Sequence, residues 1–169
     1  NPVVDKEVYP AGKCSSVLYS SSYGGVCGSG TPVLTGYYVS GLFDGTSEIY
    51  ATIKAPKVEL NITFYRPLVI KQVTMVTRPT STKVFCNREH SMEVYIGTRS
   101  NPVKCAYFPG FRDNNCSGVT VNLTCERSAI TTFLNMYIAR LYTACDEGYL
   151  CSDCGSGMNC MNMAELIFY

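Results

Sequence analysis

Ten cysteines dominate the chemistry available to this chain: Cys14, Cys27, Cys86, Cys105, Cys116, Cys125, Cys145, Cys151, Cys154 and Cys160. Cysteines at this density either hold a metal or oxidise in pairs. The last four include one C-x-x-C, Cys151-Ser152-Asp153-Cys154, where a zinc ribbon presents two such knuckles. The one histidine, His90, lies far upstream of them. Three N-glycosylation sequons supply a second line of argument: Asn61-Ile62-Thr63, Asn115-Cys116-Ser117 and Asn122-Leu123-Thr124. Sequons and an even cysteine count point to the secretory pathway, so a disulfide framework is expected in place of a metal cluster. Spacing does not reveal the pairing, although Cys14 and Cys27 stand where they can close the N-terminal segment on itself.

Catalysis has little to work with. A Ser-His or Cys-His dyad has one available centre, His90, in Glu89-His90-Ser91, which reads as an exposed turn between two strands. The sequence shows no Gly-rich phosphate loop opening a helix and no basic stripe, and no carboxylate spacing points to glycoside hydrolysis. The chain is therefore expected not to be an enzyme. Binding chemistry is better represented. Tyr107, Phe108, Phe111 and Arg112 fall in one Pro/Gly/Asn-bearing stretch, and Tyr19, Tyr23, Tyr37 and Tyr38 in another. Tyrosine offers stiff amphipathic area, while Ser and Asn adapt their hydrogen bonds. The first group is the candidate ligand contact; within it Arg112 and Asp113 are expected to pair with each other.

These residues need a scaffold, and hydrophobic periodicity indicates strands. Val58, Leu60, Ile62 and Phe64 alternate with Glu59, Asn61 and Thr63, the period-two pattern of a half-buried strand. Arg66-Pro67 is expected to break that run before a second strand at Val73, Met75 and Thr77. Met92, Val94 and Ile96 alternate with Glu93 and Tyr95 up to Gly97. Val119, Val121, Leu123 and Cys125 form one face of another strand; the apolar stretch from Thr131 to Tyr142 and the terminal Met163 to Tyr169 supply two more. Residues 1–36 are rich in Ser, Gly and Tyr and read as irregular, residues 101–117 as a long loop, and residues 144–160 as a Cys/Gly/Ser loop. No long amphipathic helix and no internal repeat is apparent.

The 169 residues suit one domain, 1–169, large enough to bury a core. With 14 basic and 13 acidic residues the formal net charge is +1, which offers no nucleic-acid-binding face. No window approaches the roughly 18 uninterrupted apolar residues of a membrane span. The chain starts at Asn1 without a Met and reads as a mature fragment or trimmed ectodomain. Short strands separated by Gly, Pro and Asn turns indicate an all-β antiparallel sandwich of jelly-roll type, stapled by disulfides.

The order of motifs resembles a known family. Gly41-Leu42-Phe43-Asp44-Gly45-Thr46 resembles the A-x-D-G-N turn of the discoidin-like domains (the coagulation factor V/VIII C-type family) and of the fucolectins. The run from Ile62 through Arg66-Pro67 and Ile70 to Arg78 resembles their V-D-L-G-x-P-x-x-I-x-x-V-x-I-x-x-R segment. Met92-Glu93-Val94-Tyr95-Ile96-Gly97 resembles their x-V-x-V-G strand, and Met163 to Tyr169 the terminal L-C-E-V-E-V-Y. Cys105 and Cys125 resemble a fucolectin cysteine pair. The resemblance covers residues 41–169. The family's tryptophans are missing, and its sugar set of one His and two Arg has no matching pattern here.

The resemblance implies a galactose-binding-like domain and a calcium site. Its ligands would be Asp44, Glu165 and the carbonyls of Gly41, Thr46 and Ala164, an oxygen set suited to calcium. The expected function is extracellular recognition of a glycan, lectin-like, through loops at one end of the sandwich. The alternative is a protein-binding, adhesion or receptor-attachment module of a surface glycoprotein, with a cell-surface protein as partner. Self-association would supply the avidity that single sugar sites lack. The expected location is secreted, or the extracellular part of a membrane protein.

Overall fold

The computed structural model describes residues 16–20, 24–37, 39–43, 49–80 and 83–169. Its strands are β1 (Ser16–Ser20), β2 (Gly24–Gly30), β3 (Tyr50–Ala51), β4 (Val58–Thr77), β5 (Met92–Gly97), β6 (Pro102–Phe108), β7 (Thr120–Ile138) and β8 (Asn162–Phe168). Every pairing is antiparallel, in the order β1-β2-β4-β7-β5-β6, with β8 joining β4 to β3. One sheet thus curls on itself into a β-sandwich. The long strands β4 and β7 pass through both layers. Their Val58–Thr63 and Phe133–Ile138 halves lie with β2 and β5, and the other half of β4 lies with β8.

Several boundaries differ from the sequence reading. Arg66-Pro67 does not end a strand. It falls in a register shift between Thr63 and Leu68, inside a continuous β4. Proline lacks the N–H that the ladder needs, so it sits where β4 leaves one layer for the other. The two strands expected at Val119–Cys125 and Thr131–Tyr142 are likewise one, β7, with residues 125–128 bulged between Ala129 and Thr124. The loop expected over 101–117 contains β6, because pairing with β5 overrides its weak alternation. Within the stretch read as irregular, β1 and β2 pair as a hairpin; the expectations for Cys14 and Tyr19 side chains and for Tyr23 and Tyr38 lie outside the described residues.

The alternation itself holds. Val58, Leu60, Ile62 and Phe64 point inward with Leu134, Met136, Ile138, Met92, Val94 and Ile96, all buried. Each such side chain contributes about 1.5–3 kcal/mol by leaving water. Disulfides join Cys86 to Cys116, Cys105 to Cys125, Cys145 to Cys151 and Cys154 to Cys160. Cys27 is also oxidised. Cys105–Cys125 is the pair that the resemblance implied. It ties β6 to β7 across 20 residues, a closure worth on the order of 3 kcal/mol in the chain-entropy account. Among the described residues no helix is long and apolar enough to cross a membrane.

The β5–β6 hairpin turns on Gly97, whose φ is +100° and whose added Cβ would stand 2.8 Å from the Asn101 carbonyl oxygen. Gly97→Ala is therefore expected to cost about 1–3 kcal/mol, read as a lower urea midpoint at unchanged slope.

Candidate functional site

One end of the sandwich collects most of the long connections. The segments before β4, between β4 and β5, after β6, and between β7 and β8 all meet there through backbone bonds. Ala55 pairs with Asn159, Ser91 N–H donates to Pro109 O at 3.2 Å, Ala139 N–H to Ser91 O at 2.9 Å, and Leu150 N–H to Phe111 O at 2.7 Å. Cys145–Cys151 and Cys154–Cys160 hold the last of these loops in shape.

Under the loops lies a polar floor. Glu89, His90, Ser91, Thr52, Asn159 and Asn162 are at most 1% exposed. Asn162 N–H donates to Glu89 Oε1 at 2.5 Å. Asn159 Nδ2 donates to Pro56 O and Arg140 O at 3.0 and 2.9 Å, tying the start of the β7–β8 connection to its end and to the segment before β4. His90 Nδ1 lies 3.2 Å from Ser91 Oγ. His90 is thus not the exposed turn expected from its neighbours. Glu-His-Ser is polar in sequence, but the approach of β8 and the Cys-rich loop covers it, and the floor's side chains replace part of its water contacts.

Above the floor stand two half-buried cations, Arg78 at the end of β4 and Arg88 at the end of the 3₁₀ turn Lys83–Arg88. Both act on the Glu89 carboxyl, and Arg88 also feels Asp153 of the Cys-rich loop. Burial pushes the Arg88 guanidinium below its ordinary range, an effect opposed by Glu89. Burial likewise raises the Glu89 carboxyl to about 8, against the Asn162 N–H and Arg88, which favour the charged form. This group was not singled out from sequence. The available signal was an Arg closing one strand and an Arg-Glu-His triplet opening the next, both on the β4–β5 connection.

The expected ligand contacts each engage a neighbouring side chain. Tyr107 sits on β6, and its hydroxyl donates to Asp146 Oδ2 at 2.6 Å, while Arg140 Nη1 stands 2.5 Å from Asp146 Oδ1. The Tyr107 hydrogen bond is the main cause that holds the Asp146 carboxyl below its ordinary range. Phe108 is buried in the core and meets Phe111 edge-on at 5.2 Å, so its ring supports the loop and offers no contact surface. Arg112 does not pair with Asp113. It lies over the Tyr149 ring at 4.4 Å and donates to the Tyr149 hydroxyl at 3.1 Å, because the Cys-rich loop brings that ring to it. Asp113 instead accepts from Asn115 N–H at 2.8 Å.

Of the expected calcium ligands, Asp44 and Thr46 lie outside the described residues. Gly41 is buried in the 3₁₀ turn Val39–Leu42, which packs on β8. Glu165 is on β8 opposite Val76, and Ala164 is skipped by the register between Glu165–Val76 and Met163–Thr77. Among the described residues no three His, Cys, Asp or Glu side chains cluster as a metal site. Asn115 and Asn122 are exposed, and Asn61 is half-buried on the outward face of β4.

No protein-family model matches the chain, and no curated protein matches it in sequence. Solved structures do match in three dimensions. A CBM32 module from Clostridium perfringens in complex with GalNAc-β-1,3-galactose is 14% identical with a TM-score of 0.59, over 85% of this chain and 94% of that one. The fucolectin from Morone saxatilis (striped bass) serum is 13% identical with a TM-score of 0.61, over 85% of this chain and 45% of that one. A Streptococcus pneumoniae fucose-binding module is 13% identical with a TM-score of 0.57, over 84% of this chain and 89% of that one. The chain therefore shares the β-sandwich fold of these modules, the fold that its motif order implied.

The floor makes stability depend on pH in a stated direction. Glu89 is raised from 4.5, so the native state keeps a proton that the unfolded chain releases. Its contribution is complete below about pH 4.5 and is lost as pH rises through about 8. His90 works oppositely: burial holds it below 6.5, so its contribution is lost as the solution is acidified through and below 6.5. Between pH 6.5 and 8 the unfolding free energy is expected to fall by up to roughly 1.4 kcal/mol per pH unit. Glu89→Gln should flatten that fall in urea titrations at each pH; an unchanged slope would remove Glu89 as its source.

Proposed function

We propose that this domain recognises a glycan at its loop end, with Arg78 and Arg88 as the donors that hold sugar hydroxyls. The observation that carries the reading is the convergence of these two half-buried arginines over one buried, hydrogen-bonded floor. A guanidinium presents five N–H donors in a fixed plane, a geometry that matches adjacent hydroxyls on a pyranose. Partial burial strengthens such bonds by excluding competing water. Asn159 and the two loop disulfides keep the arginines' surroundings from rearranging, which lowers the ordering cost of binding. The fold supports the reading, since solved neighbours with this architecture are lectins and carbohydrate-binding modules.

The domain acts by binding, without chemistry on the sugar, and works outside the cell or on its surface. The disulfides support that location. Arg88→Ala and Arg78→Ala are each expected to weaken glycan binding by about ten-fold or more, the worth of one charge-assisted hydrogen bond. Arg112→Ala, on the flank, should change it by less than about two-fold. The measurement is a glycan array followed by titration calorimetry with the best ligand. Binding that persists in excess free sugar would instead indicate a protein partner.

The proposal includes calcium beside the loops. Glu165 and the carbonyls of Gly41 and Ala164 are hard oxygen donors on adjoining elements, to be completed by Asp44 and Thr46. The β8 bulge at Ala164 supports this, because a bulge residue is left out of ladder pairing. When bound, calcium would fix the loop conformation. Millimolar calcium is expected to raise the thermal midpoint by several degrees over chelator, about 2.7 kcal/mol at a hundred-fold excess over Kd. Glu165→Gln should remove the rise. Equal midpoints with calcium and with chelator in the unsubstituted protein would withdraw the metal.

A further inference from the structure

The outward face of the sheet carries a groove of about 250 Å³, toward the β5–β6 hairpin and away from the loop end. It is lined by Tyr95, Arg99, Pro102, Phe133, Asn135 and Tyr137. Three rows of the ladder build it. Glu59 stands opposite Tyr137, which stands opposite Glu93; Asn61, Asn135 and Tyr95 form the next row; Thr63 stands opposite Phe133 in the third. The Tyr95 and Tyr137 rings are nearly parallel, 6.1 Å between centroids. Both hydroxyls donate to the Glu93 carboxylate, at 3.2 and 2.5 Å.

Asn61 and Thr63 are the first and third residues of a sequon, and they stand at the rim of this groove. Asn135 Nδ2 donates to Asn61 Oδ1 at 2.6 Å. That bond fixes the Asn61 amide by its oxygen and leaves Nδ2, the atom that an N-linked sugar occupies. Phe133 and Tyr137 flank Asn61 on the two diagonals of the ladder, within about 7–8 Å. From Asn61 across Asn135 to Tyr95 is two strand spacings, roughly 10 Å, the reach of a disaccharide.

We infer that this groove seats the chain's own N-glycan: the first two N-acetylglucosamine units on Asn61 lie across Asn135 and pack against Phe133, Tyr137 and Tyr95. The chemistry of the groove fits that occupant. Aromatic faces take the C–H faces of the sugar rings, and Asn135 Oδ1 offers an acceptor to the N-acetyl N–H groups, while its Nδ2 donates to Asn61 Oδ1 and Glu59 Oε2. Arg99, exposed, lies over the Phe133 ring, 4.1 Å from its centre, where its N–H groups can donate to sugar oxygens. A tethered sugar also has a high effective concentration, so weak contacts suffice where a free saccharide would need more. The glycan then shields an aromatic patch that would otherwise face water.

The test uses the full chain secreted from a glycosylating eukaryotic host. Peptide mapping should find Asn61 occupied. Enzymatic release of the glycan from the native protein should be about ten-fold slower at Asn61 than at exposed Asn122, equivalent to about 1.4 kcal/mol of protection. Phe133→Ser should abolish the difference. Because that variant changes a half-buried residue, the unsubstituted protein supplies an independent readout. With ¹³C-labelled N-acetyl groups, the Asn61-linked acetyl methyls should show ring-current shifts and cross-peaks to Tyr95 or Tyr137. An unoccupied Asn61, equal release rates, or unshifted methyls would overturn the inference.

Discussion

β4 and β7 pair along nearly their whole lengths, and side chains on a strand alternate between faces, so this one register assigns most of the molecule. Leu60 opposite Met136 and Ile62 opposite Leu134 face inward. Glu59 opposite Tyr137, Asn61 opposite Asn135 and Thr63 opposite Phe133 face outward. A slip by one residue would carry the apolar set to solvent and bury the sequon. The bends in β4 and β7 bring β8 against β4, and so close the sandwich over one core.

That closure has a consequence at the loop end. Strand termini from both layers arrive together, and the backbone groups of several loops need partners where water is excluded. Glu89, Asn159 and Asn162 meet part of that need, at the cost of burying a carboxyl whose charge is disfavoured there. Arg78 and Arg88 lie close enough to Glu89 for their charges to favour its ionised form, against the burial that opposes it. The disulfides do for the Cys-rich loop what the hydrogen bonds do for the floor.

The two faces proposed to handle sugar differ in physical character. The loop end relies on charged donors over a polar floor, suited to directional recognition. The outward groove relies on rings and amides beside a sequon, suited to holding a sugar already attached. Tyr107, Arg112 and Tyr149 belong to neither; their contacts with Asp146 and with one another fasten the Cys-rich loop to β6 and to the loop that follows it.

The sequence by itself determined the fold class and the faces of the strands, because period-two alternation is a local signal that survives in tertiary context. Val58 to Phe64 and Met92 to Ile96 were legible for that reason, and the ordered motifs added the Cys105–Cys125 pair. Strand continuity was not legible. A proline or a bulge reads as a break until a partner strand is present to carry the ladder past it, as at Arg66-Pro67 and residues 125–128. The sites were least legible of all. Arg78, Arg88, Glu89, Asn159 and Asn162 are separated by up to 84 positions, 162 minus 78, and nothing local marks them as neighbours. Only the tertiary structure decided that His90 is buried, that Phe108 is core, and that Asn61 borders an aromatic groove. Burial and proximity are properties of chain closure, set by which strands meet and which loops cover them.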